Sequence, residues 1–223
     1  LVKDKKMKKD DAIFNVLREY IKKSKKIRFE GDGYGEAWEK EAEKRGLSNN
    51  KKTPEALKVK IADKTIKLFE DLGVMNRVEM EARHEIEVEE YAMHIQIEGR
   101  VLGDIARNHV IPTAIRYQNI LIKNVQGLKE IYGNDFKKHA GEQLSIIEEI
   151  SSHIEKINKG ITEMIDARRE ANKIEGAEEK AFAYCDKVRP YFDEIRYHCD
   201  KLEILVDDEL WPITKYRELL FTY

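Results

Sequence analysis

Glu81-Ala82-Arg83-His84 sets a carboxylate and an imidazole three positions apart, so that a helix would present both to one metal ion. Two such pairs plus two more carboxylates make the di-iron centre of a ferritin-like bundle. The other candidates, Glu90 with His94, Glu149 with His153 and Glu194 with His198, are all spaced by four, so a second Glu-x-x-His is missing. Pairs spaced by four are ordinarily a solvated helix face. Metal binding through Glu81 and His84 is therefore the alternative reading, not the leading one.

Other chemistry-bearing residues have structural explanations of their own. Gly31-Asp32-Gly33-Tyr34-Gly35 is a glycine cluster that could cradle a phosphate. It lacks the Walker lysine, and Glu36 breaks the dinucleotide glycine spacing, so a turn is expected. Cys185 and Cys199 fall on an apolar seam, where a thiol behaves as a small hydrophobe. Fourteen positions apart on one helix, they would be about 21 Å apart along its axis, beyond disulfide reach. Arg107, Arg116 and Lys123, with Tyr117 nearby, could face an anion, though a charged face is the ordinary state of a long amphipathic helix. The chain has no Gly-x-Ser-x-Gly, no His-Glu-x-x-His and no Cys-x-x-Cys. No catalytic, cofactor-binding or metal-binding residue is assigned.

The elements that would position these groups are helices. Ile13, Phe14, Leu17, Tyr20 and Ile21 recur at helical spacing over 11–23, and a brief extended stretch at 27–29 leads into the glycine turn. A short helix over 36–45 should stop at Gly46. Thr53-Pro54-Glu55 signals a helix start, with Thr as N-cap and Pro at the first helical position, and this helix should reach Leu72 and stop at Gly73. After Asn76 three long periodic segments follow, broken near Gly133 and Gly176. The middle seam is Leu144, Ile147, Ile150, Ile154, Ile157, Ile161 and Met164. The last is Ala181, Cys185, Val188, Phe192, Ile195, Cys199, Leu202 and Val206. The first is less regular, with Tyr91, Ile95, Leu102, Ile105, Ile120, Leu121, Leu128 and Ile131, and Pro112 should kink it. The residues from 216 onward form a tail that would bury Leu219, Leu220 and Phe221. The fold class is mainly α: an antiparallel bundle of three long helices, or four if one from the first third joins, beside a smaller loop-rich N-terminal segment.

Bulk properties agree. The 223 residues can bury a sizeable core. Charged residues are 38% of the chain yet cancel to a net charge of −2, which argues against a nonspecific nucleic-acid binder. No apolar run approaches the roughly 20 residues that span a bilayer, and no signal-peptide pattern opens the chain. A cytoplasmic protein with reduced thiols and no membrane partner is expected. The start at Leu1 instead of Met suggests a processed or excised piece.

One resemblance covers essentially the whole chain. The run Lys26-Ile27-Arg28-Phe29-Glu30-Gly31-Asp32-Gly33-Tyr34-Gly35-Glu36-Ala37-Trp38, continued through Lys40 to Leu47, resembles the end of the catalytic region in type III glutamine synthetases. Thr53-Pro54-Glu55-Ala56-Leu57, the Arg83–Tyr91 segment, Asn108-His109-Val110-Ile111-Pro112 and Leu210-Trp211-Pro212-Ile213-Thr214-Lys215-Tyr216-Arg217-Glu218-Leu219-Leu220-Phe221 resemble that family's C-terminal extension, in the same order.

The resemblance implies a parent enzyme that makes glutamine from glutamate and ammonia with ATP and Mg or Mn. It also implies that residues 1–75 are the tail of the catalytic domain and 76–223 the helical extension. The family's metal-binding glutamates, glutamate loop and nucleotide-contacting arginines lie on a preceding barrel, so no such residue is carried over. The chain alone is expected to be inactive, and the remainder of a synthetase chain and neighbouring subunits of a ring-shaped homo-oligomer are the expected partners. A helical bundle holding a metal or a small effector near the Pro112 kink is the competing reading.

Overall fold

The computed structural model describes residues 6–221, so Leu1, Thr222 and Tyr223 lie outside the described residues. Two compact units divide the chain, one up to Lys51 and one from Lys52. The sequence-based boundary was 75/76. Among the described residues the structure is helical throughout, with no strand, and no helix is long and apolar enough to cross a membrane.

In the first unit, α1 (Lys9–Lys23) runs into a 3-10 turn over Ser24–Ile27, and only then does the chain extend at Arg28. The glycine cluster is a turn, as expected. Asp32 Oδ1 accepts the Tyr34 amide at 2.9 Å, and Gly35 caps α2 (Glu36–Lys44). A Cβ at Gly31 would stand 2.8 Å from the ring of Phe29, which stacks on Trp38 at 4.6 Å, so a side chain there would have to displace that ring. Arg45 reaches over Trp38 and donates from Nη1 to the Arg28 carbonyl at 2.6 Å. The α2 end closes as expected at Gly46, whose φ is +69°, with Leu47 N–H bonding the Ala42 carbonyl. The large apolar side chains of α1 stay exposed, from 38% at Val16 to 69% at Tyr20. Among the described residues the buried apolar ones of this unit are Ala12 and Ala42.

The second unit begins with a departure from expectation. The single helix foreseen from Thr53 to Leu72 is two, α3 (Thr53–Lys58) and α4 (Asp63–Asp71), separated by a 3-10 turn and an extended Ala62. Thr53 is itself helical, and Lys52 holds the cap position. No glycine or proline marks the break. Thr65 Oγ1 donates to the Val59 carbonyl at 2.9 Å, and Asp63 pairs with Arg77 at 2.9 Å. The change of direction buries Ile66 to 1% exposure. The gain is tertiary, so local propensity gives no sign of it.

Three long rods follow. The first is α5 (Arg77–Ile105) continuing through a π-turn at Ala106–Val110 into α6 (Ile111–Tyr132). An Asn76/Glu79 capping box starts it, and Gly133 at φ +55° ends it. The second is α7 (Gly141–Asn172). The third is α8 (Ala177–Ala183), a π-turn at Tyr184–Val188, and α9 (Pro190–Leu205). Helix α7 packs against both α6 and α9, and α5 lies along α8, with α3 and α4 against α5. Short connections reverse the chain between rods, giving the bundle.

Both π-turns precede a proline. The amide of Ile111 donates to the Ala106 carbonyl before Pro112, and that of Arg189 to the Tyr184 carbonyl before Pro190. A proline cannot donate and its ring crowds the carbonyl four residues back, so the wider i→i−5 turn makes room without a sharp break. The extra residue also changes helical phase by about 100°. That corrects the first seam beyond the turn, where Leu121 is buried but Ile120 and Ile131 are exposed, the last at 74%; Ile105, before the turn, is exposed as well. Downstream, the buried positions are Val110, Ala114 and Leu121. The other two seams hold. Ile150, Ile157, Ile161, Val188, Ile195 and Leu202 are fully buried, each large side chain contributing about 1.5–3 kcal/mol.

The tail is a second correction. Leu219, Leu220 and Phe221 are 53%, 80% and 70% exposed. The anchoring is done earlier, by Trp211 packed against the core and by Lys215, which pairs with Asp208 and donates to the Glu203 carbonyl at 3.0 Å. Helix α10 (Tyr216–Leu219) is too short to present an apolar face.

Candidate functional site

The Glu/His pairs separate into different environments. Glu81 pairs with Arg77 at 3.4 Å, not with His84. His84 is buried, and its Nε2 faces Glu178 at 3.4 Å across from α8. Glu178 also binds Lys58 at 2.6 Å, and that hydrogen bond holds its carboxyl below the usual range. His94 and Glu90 stand 3.9 Å apart on an exposed face.

His153 and His198, by contrast, meet in the interior between α7 and α9 with their Nδ1 atoms 2.9 Å apart. Glu149 Oε1 lies 3.6 Å from His153 Nε2, and of the two facing Nδ1 atoms one carries the proton and the other accepts it. Burial pushes the His198 imidazole below its ordinary pKa, with His153 and Lys156 adding to the effect and Glu194 opposing it. Among the described residues no three His, Cys, Asp or Glu side chains converge as a metal-binding group.

Both cysteines are free. Burial pushes the Cys199 thiol up to about 12, so it is a thiol and not a nucleophilic thiolate near neutrality. Cys185 is buried on the seam beside Tyr91, whose phenol is raised by burial and then by that neighbour.

The basic residues noted on the kinked helix do not act together. Arg116 donates to Thr113 Oγ1 at 2.6 Å on its own helix, and Lys123 is exposed. Arg107 alone points to α7, where its Nη2 bonds Thr162 Oγ1 at 3.3 Å. It is joined by Arg100 from α5 and Arg168 from α7 around a groove of about 260 Å³. Ile161, Met164, Gly99 and Gly103 line its base. Sequence reasoning missed Arg100 and Arg168. The only sequence signal was the Gly99-x-x-x-Gly103 spacing, which lets a neighbouring helix come close; a Cβ at Gly99 would stand 3.2 Å from Phe192.

Comparison with known proteins bears on the whole chain. A family profile described as the glutamine synthetase C-terminal domain matches residues 12–129. The chain belongs to that family. The glutamine synthetase of Bacteroides fragilis (strain YCH46) is 46% identical over 215 residues, which is 96% of this chain and 30% of the relative. The type-3 glutamine synthetase of Dictyostelium discoideum is 28% identical over 223 residues, 99% of the chain and 30% of the relative. The glutamine synthetase of Butyrivibrio fibrisolvens is 27% identical over 212 residues, 95% of the chain and 30% of the relative. The chain thus spans 30% of the length of these relatives and corresponds to the C-terminal part of glutamine synthetases, type 3 among them. In this glutamine synthetase C-terminal domain the histidine pair and the arginine groove both lie in the bundle, beside the apolar seams rather than on the N-terminal unit.

Proposed function

We propose that this chain serves as the helical assembly extension of an ATP-dependent glutamate–ammonia ligase of type III. Residues 1–75 would close the catalytic domain and residues 76–223 would form the extension. ATP and Mg or Mn would be held by the barrel, in a cytoplasmic enzyme whose subunits form a ring. The bundle would then contribute contacts to the remainder of the synthetase and to neighbouring subunits, and no chemistry of its own.

Beyond the family relationship, one observation supports this reading. The apolar face of α1, with Phe14 at 64%, Leu17 at 55% and Tyr20 at 69% exposure, sits in a unit whose buried apolar residues, among those described, are two alanines. A contiguous apolar helix face marks a surface made to be covered. A catalytic-domain surface is the covering this reading supplies.

The test has two parts. The purified chain is assayed for glutamine formation from glutamate, ammonia and ATP, where none is expected and measurable synthesis would overturn the reading. The chain is then co-expressed with the remaining 70% or so of the Bacteroides fragilis relative. Co-purification is expected, together with its loss in the double variant Phe14→Asp/Leu17→Asp. Failure of the native chain to co-purify would count against the assembly role.

A further inference from the structure

We propose that the groove between α5 and α7 is a binding site for a small oxyanion, one with two or more acceptor oxygens such as a phosphate or a dicarboxylate, held by Arg100, Arg107 and Arg168. This stands independently of the ligase reading.

The charge around the groove is not balanced from within. Three guanidiniums face it against a single carboxylate, Asp104, which is already hydrogen-bonded by Asn108 on its own helix. Among the described residues none of the three arginines makes an ion pair. Elsewhere in the same unit Lys52, Lys58 and Lys60 each reach a carboxylate across helices.

Arg168 carries the strongest sign. Its Nε is shut off from water and meets no acceptor. An oxyanion held by the Nη donors of a guanidinium that lines the groove would offset part of the cost of desolvating this cation. The positive field is also felt nearby. Burial raises the Tyr184 phenol, and Arg168 and Arg100 act against that rise.

The backbone explains how the arginines come together. Arg107 lies inside the Ala106–Val110 π-turn, and from that wider turn its Nη2 reaches Thr162 on α7. Such turns within α-helices recur at functional sites. Gly99 and Gly103 add no side chain, which leaves room for an ion beside the apolar Ile161 and Met164. At about 260 Å³ the groove falls below the roughly 300–1,000 Å³ of pockets for drug-sized ligands and suits a small ion. Planar guanidiniums bind paired oxygens through two parallel N–H donors, which separates phosphate and carboxylates from chloride.

The test titrates the full chain by calorimetry and thermal unfolding with inorganic phosphate, with glutarate, and with sodium chloride at matched ionic strength. One-to-one binding and a raised Tm are expected with phosphate, glutarate or both. Binding of phosphate alone points to a phosphoryl ligand and of glutarate alone to a dicarboxylate. Arg107→Gln and Arg168→Gln should each weaken binding at least tenfold, while Lys123→Gln leaves it unchanged. Should Arg168→Gln fold poorly, the exposed Arg100→Gln and Arg107→Gln carry the test. No saturable binding, an equal effect of chloride, or unaltered affinity in the groove variants would each overturn the proposal.

Discussion

His153 and His198 come from helices 45 positions apart in sequence, and their Nδ1 atoms meet at 2.9 Å in the interior of the bundle. One ring must donate and the other accept, so the contact needs at least one neutral imidazole. A second proton on the pair would set two donors and two like charges against each other.

Stability should therefore fall in mild acid. The folded-state pKa of His198 lies below its ordinary 6.5, so the unfolded chain takes up a proton that the folded chain resists. The contribution is complete above about 6.5 and is lost as pH falls toward the depressed folded value. Melting temperatures measured from about pH 7.5 to 5.5 should drop, and His198→Gln should flatten that slope. An unchanged slope in the variant would remove the histidine pair as its source.

Gly160 sets how closely α7 and α9 approach. A Cβ there would stand 3.0 Å from Ile195 Cγ1, so Gly160→Ala should cost about 1–3 kcal/mol despite the helix preference of alanine. Gly127, on α6, has nothing within 4 Å of a built Cβ, so Gly127→Ala should stabilise by about 0.5–1 kcal/mol. Urea denaturation of both variants checks the opposite signs.

Two isoleucines expected on apolar seams should behave differently. Ile157→Ala, at a fully buried site, should cost about 2–5 kcal/mol. Ile131→Ala, at 74% exposure, should fall within about 0.5 kcal/mol of the parent. Comparable losses at both sites would mean that Ile131 is buried in solution.

Tyr184 is fully buried, and its hydroxyl donates to Asn172 Oδ1 at 2.6 Å. Tyr184→Phe should lower stability by about 0.5–1.5 kcal/mol in the same denaturation experiment. Asn172 is exposed and can turn its amide to water, which keeps the cost from rising further.

What the sequence made legible was periodic. Ile150, Ile157 and Ile161 announce their seam because spacings of three and four are a local property of a straight helix. Gly46 and Gly133 announce ends because a positive φ favours glycine. The break at Ala62 could not be read, since it exists to bury Ile66 and no local residue demands it. Pro112 was visible as a disturbance but not as a π-turn, and Ile120 and Ile131 were misplaced because one helical phase was carried across it. Glu149/His153 and Glu194/His198 could be recognised as separate pairs. Their meeting, like that of Arg168 with Arg100, depends on how α7 lies against its neighbours.

The proline-associated π-turns have an evolutionary consequence. Each proline and the extra residue of its π-turn form one heritable unit. Deleting a residue from Ala106–Val110 or Tyr184–Val188 alone would return the proline to an ordinary α-helix, at about 3 kcal/mol, and rotate everything downstream out of register. Replacing the proline alone would leave a bulge with nothing to accommodate. Lineages should therefore gain or lose the two together, as paired events at each turn.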